Sequence, residues 1–559
     1  MAGLRAMGRE RGVPRTLALM GVMALAAVAC VPDGTSPPTS TTTTVAPTTT
    51  EAPTTTEATT TTSTTTSTST TTTTSLPANV VSVNSFADTD DGVCDTQCTL
   101  REALGQANVD PTIDTVRLPP GTFAVGGGAA LRGAGSALRR AFVAAGPDGE
   151  AFRVDADLVL VGDPAGTTID FADSDATIGF LTTASLTLQQ LTLENLGVGT
   201  TSPPRTLVSA AMANAGDSVH LDHSVVQDIQ PDAAGPTGAA LGTGVVQEAS
   251  TSEAFDVVVS DSTVRRIGAG YVFLPRGSTS ITSTTVESVG TLAVAGGPFG
   301  STSALLDHVT SNGTAGYIAG QCGAGIAVLA LGQPLVIRDS SMTAGTGRCG
   351  GLAVSNSFSA VVFGVTNVDL TIERSLIDAT GALGAVTLSV GAVPTAWDVD
   401  VSDSTVVSGS QTGIVIIAGS LGLGGSVPVP PSYLTHVTLL SPTAPSGAAL
   451  VSSVTAPIHL ASSVGVSAGG TVCSNTALVS EGHNTVSDAS CALTDPTDQP
   501  STDPLLGPAA DNGGPSATRL PLVGSPLLDS AGTCTGTDQR GVTRPQGTEC
   551  DRGAVEVVV

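Results

Sequence analysis

The chain has 559 residues, a formal net charge of −27 and a pI near 4.3, and all 21 of its basic residues are arginines. An acidic chain of this kind is set against nucleic-acid phosphates and against electrostatic attachment to anionic lipid. Only 3 % of residues are aromatic while 66 are glycine, which points away from large rings and toward a core of stacked aliphatic and small side chains.

At the start, Arg5, Arg9, Arg11 and Arg15 precede an apolar run over 17–29 that ends in Ala27-Val28-Ala29 before Cys30, the layout of an export signal (1–29). The run is too short for a transmembrane helix. Two processing routes stand open. Ala-x-Ala suits ordinary signal peptidase, while a small residue directly before Cys suits lipoprotein processing, although Ala27 stands where the usual box has Leu. Nine cysteines leave one over, and the isolated Cys30 is the expected site of lipid attachment and so of the membrane tether. Residues 30–77 form a Thr-rich stretch that cannot bury a core, and they read as a disordered, O-glycosylatable stalk.

The other eight cysteines fall into sequential neighbours: Cys94 with Cys98, Cys322 with Cys349, Cys473 with Cys491, and Cys534 with Cys550. In an exported chain disulfides are the natural reading, each contributing about 2–4 kcal/mol. Zinc is the rival at Cys94 and Cys98, but no second close pair or suitable His accompanies them. Asp88, Asp90 and Asp91 beside Gly92 are candidate Ca²⁺ ligands, with an ordinary Asp-rich turn as the competing reading. Thr99 and Glu102 then form a capping box, and Leu100, Ala103, Leu104 and Ala107 follow one helical stripe. The segment 78–125 therefore predicts an N-terminal cap whose short helix covers the open end of a solenoid.

From 126 to 470 one phrase recurs ten times: apolar, any, apolar, two polar, small or β-branched, any, apolar. It reads Leu186-Thr-Leu-Gln-Gln-Leu-Thr-Leu193 in one copy and Val257-Val-Val-Ser-Asp-Ser-Thr-Val264 in another. The second apolar position is occupied by Leu188, Leu221, Val259, Ile281, Leu306, Ile337, Ile372, Val401, Leu434 and Leu460, at intervals of 22 to 38 residues. Two short strands joined by a tight polar turn, repeated at this period, predict an all-β solenoid: a right-handed parallel β-helix, with a β-sandwich array as the alternative.

Two end segments carry a resemblance. Asp88-Thr-Asp-Asp-Gly-Val-Cys-Asp-Thr-Gln-Cys-Thr-Leu-Arg-Glu-Ala103 and Asp114-Thr-Val-Arg-Leu-Pro-Pro-Gly-Thr122 resemble the CSLREA-type motif of bacterial surface proteins, with Thr99 in place of Ser. Within 471–559, Asp511-Asn-Gly-Gly-Pro515, Gly524-Ser-Pro-Leu-Leu-Asp529, Asp538-Gln-Arg-Gly-Val-Thr-Arg-Pro-Gln546 and Cys550-Asp-Arg-Gly-Ala-Val-Glu556 are similar to the choice-of-anchor Q domain. The resemblance implies a pectate-lyase-like β-helix on an exported protein of the cell envelope, and it does not imply lyase activity. Such proteins often carry a sorting signal after the Gly-Ala-Val-Glu element; none follows it before Val559, in keeping with a lipid at Cys30.

For chemistry the repeat offers little. His223, His308 and His436 share the second polar position with Asp261, Asp339, Arg374 and Asp403, which reads as a polar turn column and not as a catalytic station. His220 and His459 are expected to face outward. Asp256, Asp369 and Asp378 are scattered, and Asp398, Asp400 and Asp403 come closest to a carboxylate cluster, though they flank a strand and its turn. A lyase would need a base, yet there is no lysine, and Arg265, Arg266, Arg338 and Arg374 are spread out. No catalytic residue is assigned. The expected function is a monomeric, envelope-anchored scaffold for adhesion or interaction with an extracellular glycan or surface protein, without nucleic acid. A polysaccharide lyase or glycoside hydrolase is the alternative, and Trp397 and three tyrosines are the only aromatic platforms for sugar besides phenylalanine.

Overall fold

The computed structural model describes residues 79–126, 149–176, 178–198, 206–210, 216–229, 239–242, 256–267, 270–274, 278–287, 292–296, 303–314, 326–329, 334–344, 352–355, 368–380, 384–390, 397–408, 412–418, 430–441, 448–452, 457–474 and 477–558. The export signal, the stalk, Cys30, Cys322 and Cys349 lie outside them. Among the described residues every pairing between strands is parallel. One face is a fourteen-stranded sheet from Val80–Ser82 to Ala477–Ser480, and a second face of fourteen strands runs from Gly121–Ala124 to Gln499–Pro500. A third face comprises a four-stranded and an eight-stranded sheet. This is an all-β parallel β-helix, and its rungs extend beyond 126–470 at both ends.

The ten anchor residues stack in one unbroken register, from Leu188 opposite Leu221 to Leu434 opposite Leu460. The column extends toward the N-terminus through Leu160, Val116 and Val81. Alternation along each strand turns these side chains inward, and Leu188, Leu306, Ile337 and Ile372 are fully buried. The position five residues after each anchor, apolar in most copies, builds an equivalent column in the second sheet, for example Met342, Ile377, Val406 and Leu439. Large rings are not excluded from the interior, contrary to expectation. Phe152 stacks on Phe180, its partner in register on the third face, at 5.2 Å, with Phe171 edge-on to both at 6.1 Å.

Between the two strands of the phrase the chain turns a sharp corner. All ten residues at the second polar position are left-handed, with φ between 45° and 56°. The next position holds a buried Ser in most copies. Ser224, Ser262, Ser340, Ser375, Ser404 and Ser463 each donate to the carbonyl two residues back, at 2.6–2.7 Å. Each Oγ also accepts the N–H of the equivalent corner on the preceding coil, at 3.0–3.1 Å. A ladder of serines thus satisfies backbone groups that the corner removes from the sheets.

The cap forms as its residues predict. Helix Leu100–Ala107 opens on Thr99, whose Oγ1 accepts from Glu102 N at 3.3 Å while Glu102 Oε2 accepts from Thr99 N at 2.8 Å. Leu100, Ala103, Leu104 and Ala107 are buried against the first coils. Disulfides join Cys94 to Cys98, Cys473 to Cys491 and Cys534 to Cys550. No helix among the described residues is long and apolar enough to cross a membrane.

After Pro500 the chain leaves the coil pattern and makes only isolated antiparallel bridges. It folds back along the corner of the last coils. Gly553 N–H bonds Ser462 O at 2.8 Å, Ala554 N–H bonds Thr438 Oγ1 at 3.0 Å, and Thr405 Oγ1 donates to Gln539 Oε1 at 2.6 Å. Arg544 reaches Asp403 and Glu556, each at 3.0 Å, and Arg552 bonds the carbonyls of Asn484 and Thr497 at 3.1 and 3.0 Å.

Candidate functional site

Between the two inward positions of each first-sheet strand lies one residue that faces out. In register these form a column that runs Thr187, His220, Val258, Ser280, Leu305, Val336, Thr371, Asp400, Tyr433 and His459. Its character changes at strands Val368–Glu373 and Trp397–Ser402. Asp369 pairs with Asp398, and Asp400 follows two residues later on the same outward side. Adjacent strands are about 4.8 Å apart, and two residues along a strand span about 6.6 Å. Three carboxylates therefore occupy a patch the size of one or two sugar rings.

Their environments differ. Asp369 is half-buried, and loss of solvation, followed by the charge of Asp398, pushes its carboxyl above the usual range. Asp400 keeps an exposed edge but is crowded. Loss of solvation and then the charges of Asp398 and Glu373 push it up as well. Asp398 is exposed, and its charge bears on both. Beyond Asp400, Tyr433 presents 44 % of its surface, with its ring 5.0 Å from that of His459. His459 Nδ1 lies 2.6 Å from Glu481 Oε1.

The sequence grouping of Asp398, Asp400 and Asp403 is thus divided. Asp403 turns the corner with φ 45° and belongs to Arg544, and Asp369, from the preceding coil, takes its place beside the other two. Asp256 accepts from Ser278, and Asp378 caps Thr380 N–H at 2.8 Å, both apart from the patch. Arg266, Arg338 and Arg374 are paired with Asp228, Asp307 and Asp339, and Arg265 donates to Gln227. The proposed Ca²⁺ ligands serve the cap. Asp88 binds the Arg101 guanidinium and the Gly126 N–H, Asp90 accepts from Gly92 N, and Asp91 accepts from Val93 N.

His220 faces outward as expected, its Nε2 3.0 Å from Ser260 Oγ. His223 and His308 are exposed corner residues, each bonded to the Asp before it, Asp222 at 2.9 Å and Asp307 at 2.7 Å. Parallel stacking brings Asp261 up to the first pair and Asp339 up to the second, which a reading of the column one residue at a time does not show. His436 departs from the column: the C-terminal segment buries it and leaves its Nδ1 without a partner among the described residues. Burial, reinforced by Arg544, lowers its pKa to about 3.

No family model matches the chain, and no curated protein does. Solved structures of similar architecture include the Azotobacter vinelandii mannuronan C-5 epimerase AlgE6 A-module, with 14 % identity over 72 % of this chain and 92 % of that one and a TM-score of 0.35. Others are the periplasmic alginate epimerase AlgG, at 7 % identity over 60 % and 76 % with a TM-score of 0.36, and a rhamnogalacturonan lyase, at 12 % over 71 % and 85 % with a TM-score of 0.28. Nothing about activity follows from likeness at this level. By its own topology the chain is a parallel β-helix with an acidic patch on the outward side of its first sheet.

Proposed function

We propose that this is an exported, envelope-tethered β-helix protein whose first sheet binds a glycan on its outward side, where Asp369, Asp398 and Asp400 hydrolyse a glycosidic bond. The observation that carries the reading is three carboxylates on adjacent rungs, with Asp369 and Asp400 both pushed up beside Asp398. In inverting hydrolysis a protonated carboxyl donates to the leaving oxygen, and a carboxylate about 6.5–9.5 Å away activates water. Asp400 fits the acid, Asp398 the base, and Asp369 helps shape the charge of the pair. Tyr433, next in register after Asp400, offers a ring face to a neighbouring sugar. Hydrolysis is favoured over β-elimination because the chain has no lysine and its arginines near this face are ion-paired.

The adhesion scaffold is the second reading, favoured by the exposure of Asp398 and Asp400 on open surface. One experiment separates the two. The full chain is incubated with a panel of neutral, amino-sugar and uronic-acid glycans, and reducing ends and binding are both measured. Turnover that falls about 10²-fold or more in Asp400→Asn and Asp398→Asn is the expected result. Binding without turnover would establish the scaffold and reject the hydrolase, and silence in both assays would reject a glycan ligand. Mass spectrometry of the mature N-terminus tests the lipid at Cys30.

A further inference from the structure

Two triads on the corner column share one plan. In each, an Asp ends a first-sheet strand, a His comes next in the left-handed corner, and the corner of the next coil carries an Asp. Asp222, His223 and Asp261 form one, and Asp307, His308 and Asp339 the other, with one ligand atom from each residue lying within 4.8 Å of the rest. They differ in the residues that the neighbouring coils bring up. Beside Asp307 the strand register supplies Arg338, whose Nη2 lies 2.7 Å from it. The corner after Asp339 supplies Arg374, which holds both carboxylate oxygens at 2.7 and 2.8 Å. In the first triad the same two places are held by Ser260 and Ser283. Asp222 and Asp261 therefore face one imidazole and, among the described residues, no arginine, whereas Asp307, Asp339 and Asp403 are each met by a guanidinium.

We propose that a divalent transition-metal ion of the Zn²⁺, Ni²⁺, Co²⁺ or Cu²⁺ class occupies this place, bound by Asp222, His223 and Asp261. Imidazole with two carboxylates suits these ions, while Ca²⁺ takes six to eight oxygens. His223 Nδ1 and Asp222 Oδ1 are 2.9 Å apart, the spacing of two ligands at a right angle on an ion with bonds of about 2.1 Å. Gln189 Nε2 donates to Asp222 Oδ2 at 2.9 Å and Ser260 Oγ to Oδ1 at 2.6 Å, the outer support that ligating carboxylates use. His223 and Asp261 are exposed, so the ion enters from solvent and keeps water on its open side. It ties one coil to the next, as Arg338 and Arg374 do further along. The site is four strands away from the Asp369 patch along the first sheet, and it stands whether or not that patch is catalytic.

The test uses the full chain, free of histidine tags and stripped with a chelator, titrated calorimetrically with Zn²⁺ alone. One equivalent is expected. His223→Ala and Asp261→Asn should each weaken it by about tenfold or more. Ser283→Arg, which copies the arginine of the other triad, should abolish it, and His308→Ala should leave it unchanged. Absence of saturable binding overturns the assignment, as does affinity that is unchanged in His223→Ala or binding that is lost in His308→Ala. Since His223 is an exposed corner residue, circular dichroism of that variant keeps the result readable even if Ser283→Arg misfolds.

Discussion

Asp403 and His436 occupy the same left-handed corner as the exposed His223 and Asp261, yet both lie beneath the C-terminal segment. Burial raises the Asp403 carboxyl to about 6, against the opposing pull of Arg544. The unfolded chain releases this proton near the ordinary 3.8, whereas the folded chain holds it until about 6. Over that window the native state binds more protons, so the contribution of Asp403 to stability declines as pH rises from about 4 to about 6 and is level above it. Urea unfolding at pH 4.5 and pH 7 should show a loss of about 2 kcal/mol from this residue, and Asp403→Asn should flatten that part of the slope. An unchanged slope in the variant would place the titration elsewhere. Neither burial was legible locally, because Arg544 lies 141 residues from Asp403.

At the scale of the element, the phrase itself announced two strands, a polar corner and a small residue after it. The left-handed φ at all ten corners explains why His, Asp, Arg, Gln and Ser interchange there: each is a turn residue with its side chain outside the core. The role of the small residue was not legible, since the serine ladder exists only once coils stack. Ser375 is fully buried, donates to Glu373 O at 2.7 Å and accepts from Ser340 N at 3.1 Å. Ser375→Ala strands the Ser340 N–H in the interior and should cost about 1–3 kcal/mol in chemical denaturation. A cost near zero would mean that the ladder adds nothing beyond the strand pairing.

For the whole molecule, the C-terminal motifs prove to be fastenings. Arg544 and Arg552 dock the fold-back on the last coils, and Asp538, Arg540, Asp551 and Glu556 hold its own turns. Gly553 sits where the segment comes closest. Its φ is +85°, and an added Cβ would lie 2.8 Å from Thr438 Oγ1 and 2.9 Å from Val464 Cγ2. Gly553→Ala should therefore lift the segment, and limited proteolysis should cut within 503–558 well before the coils. A wild-type cleavage pattern would show that the neighbours give way instead.

By itself the sequence determined the parallel β-helix, its ten-fold register and its capping helix, because inward periodicity and capping are written in residues a few positions apart. Only the tertiary structure decided which polar groups meet. Asp369 joins Asp398, and His223 joins Asp261, across coils of 29 and 38 residues whose lengths the repeat leaves free. Whether a corner is bathed or buried depends on a segment that returns from the far end of the chain. Periodicity sets the face a side chain takes, and stacking and fold-back set its neighbours, and with them its charge.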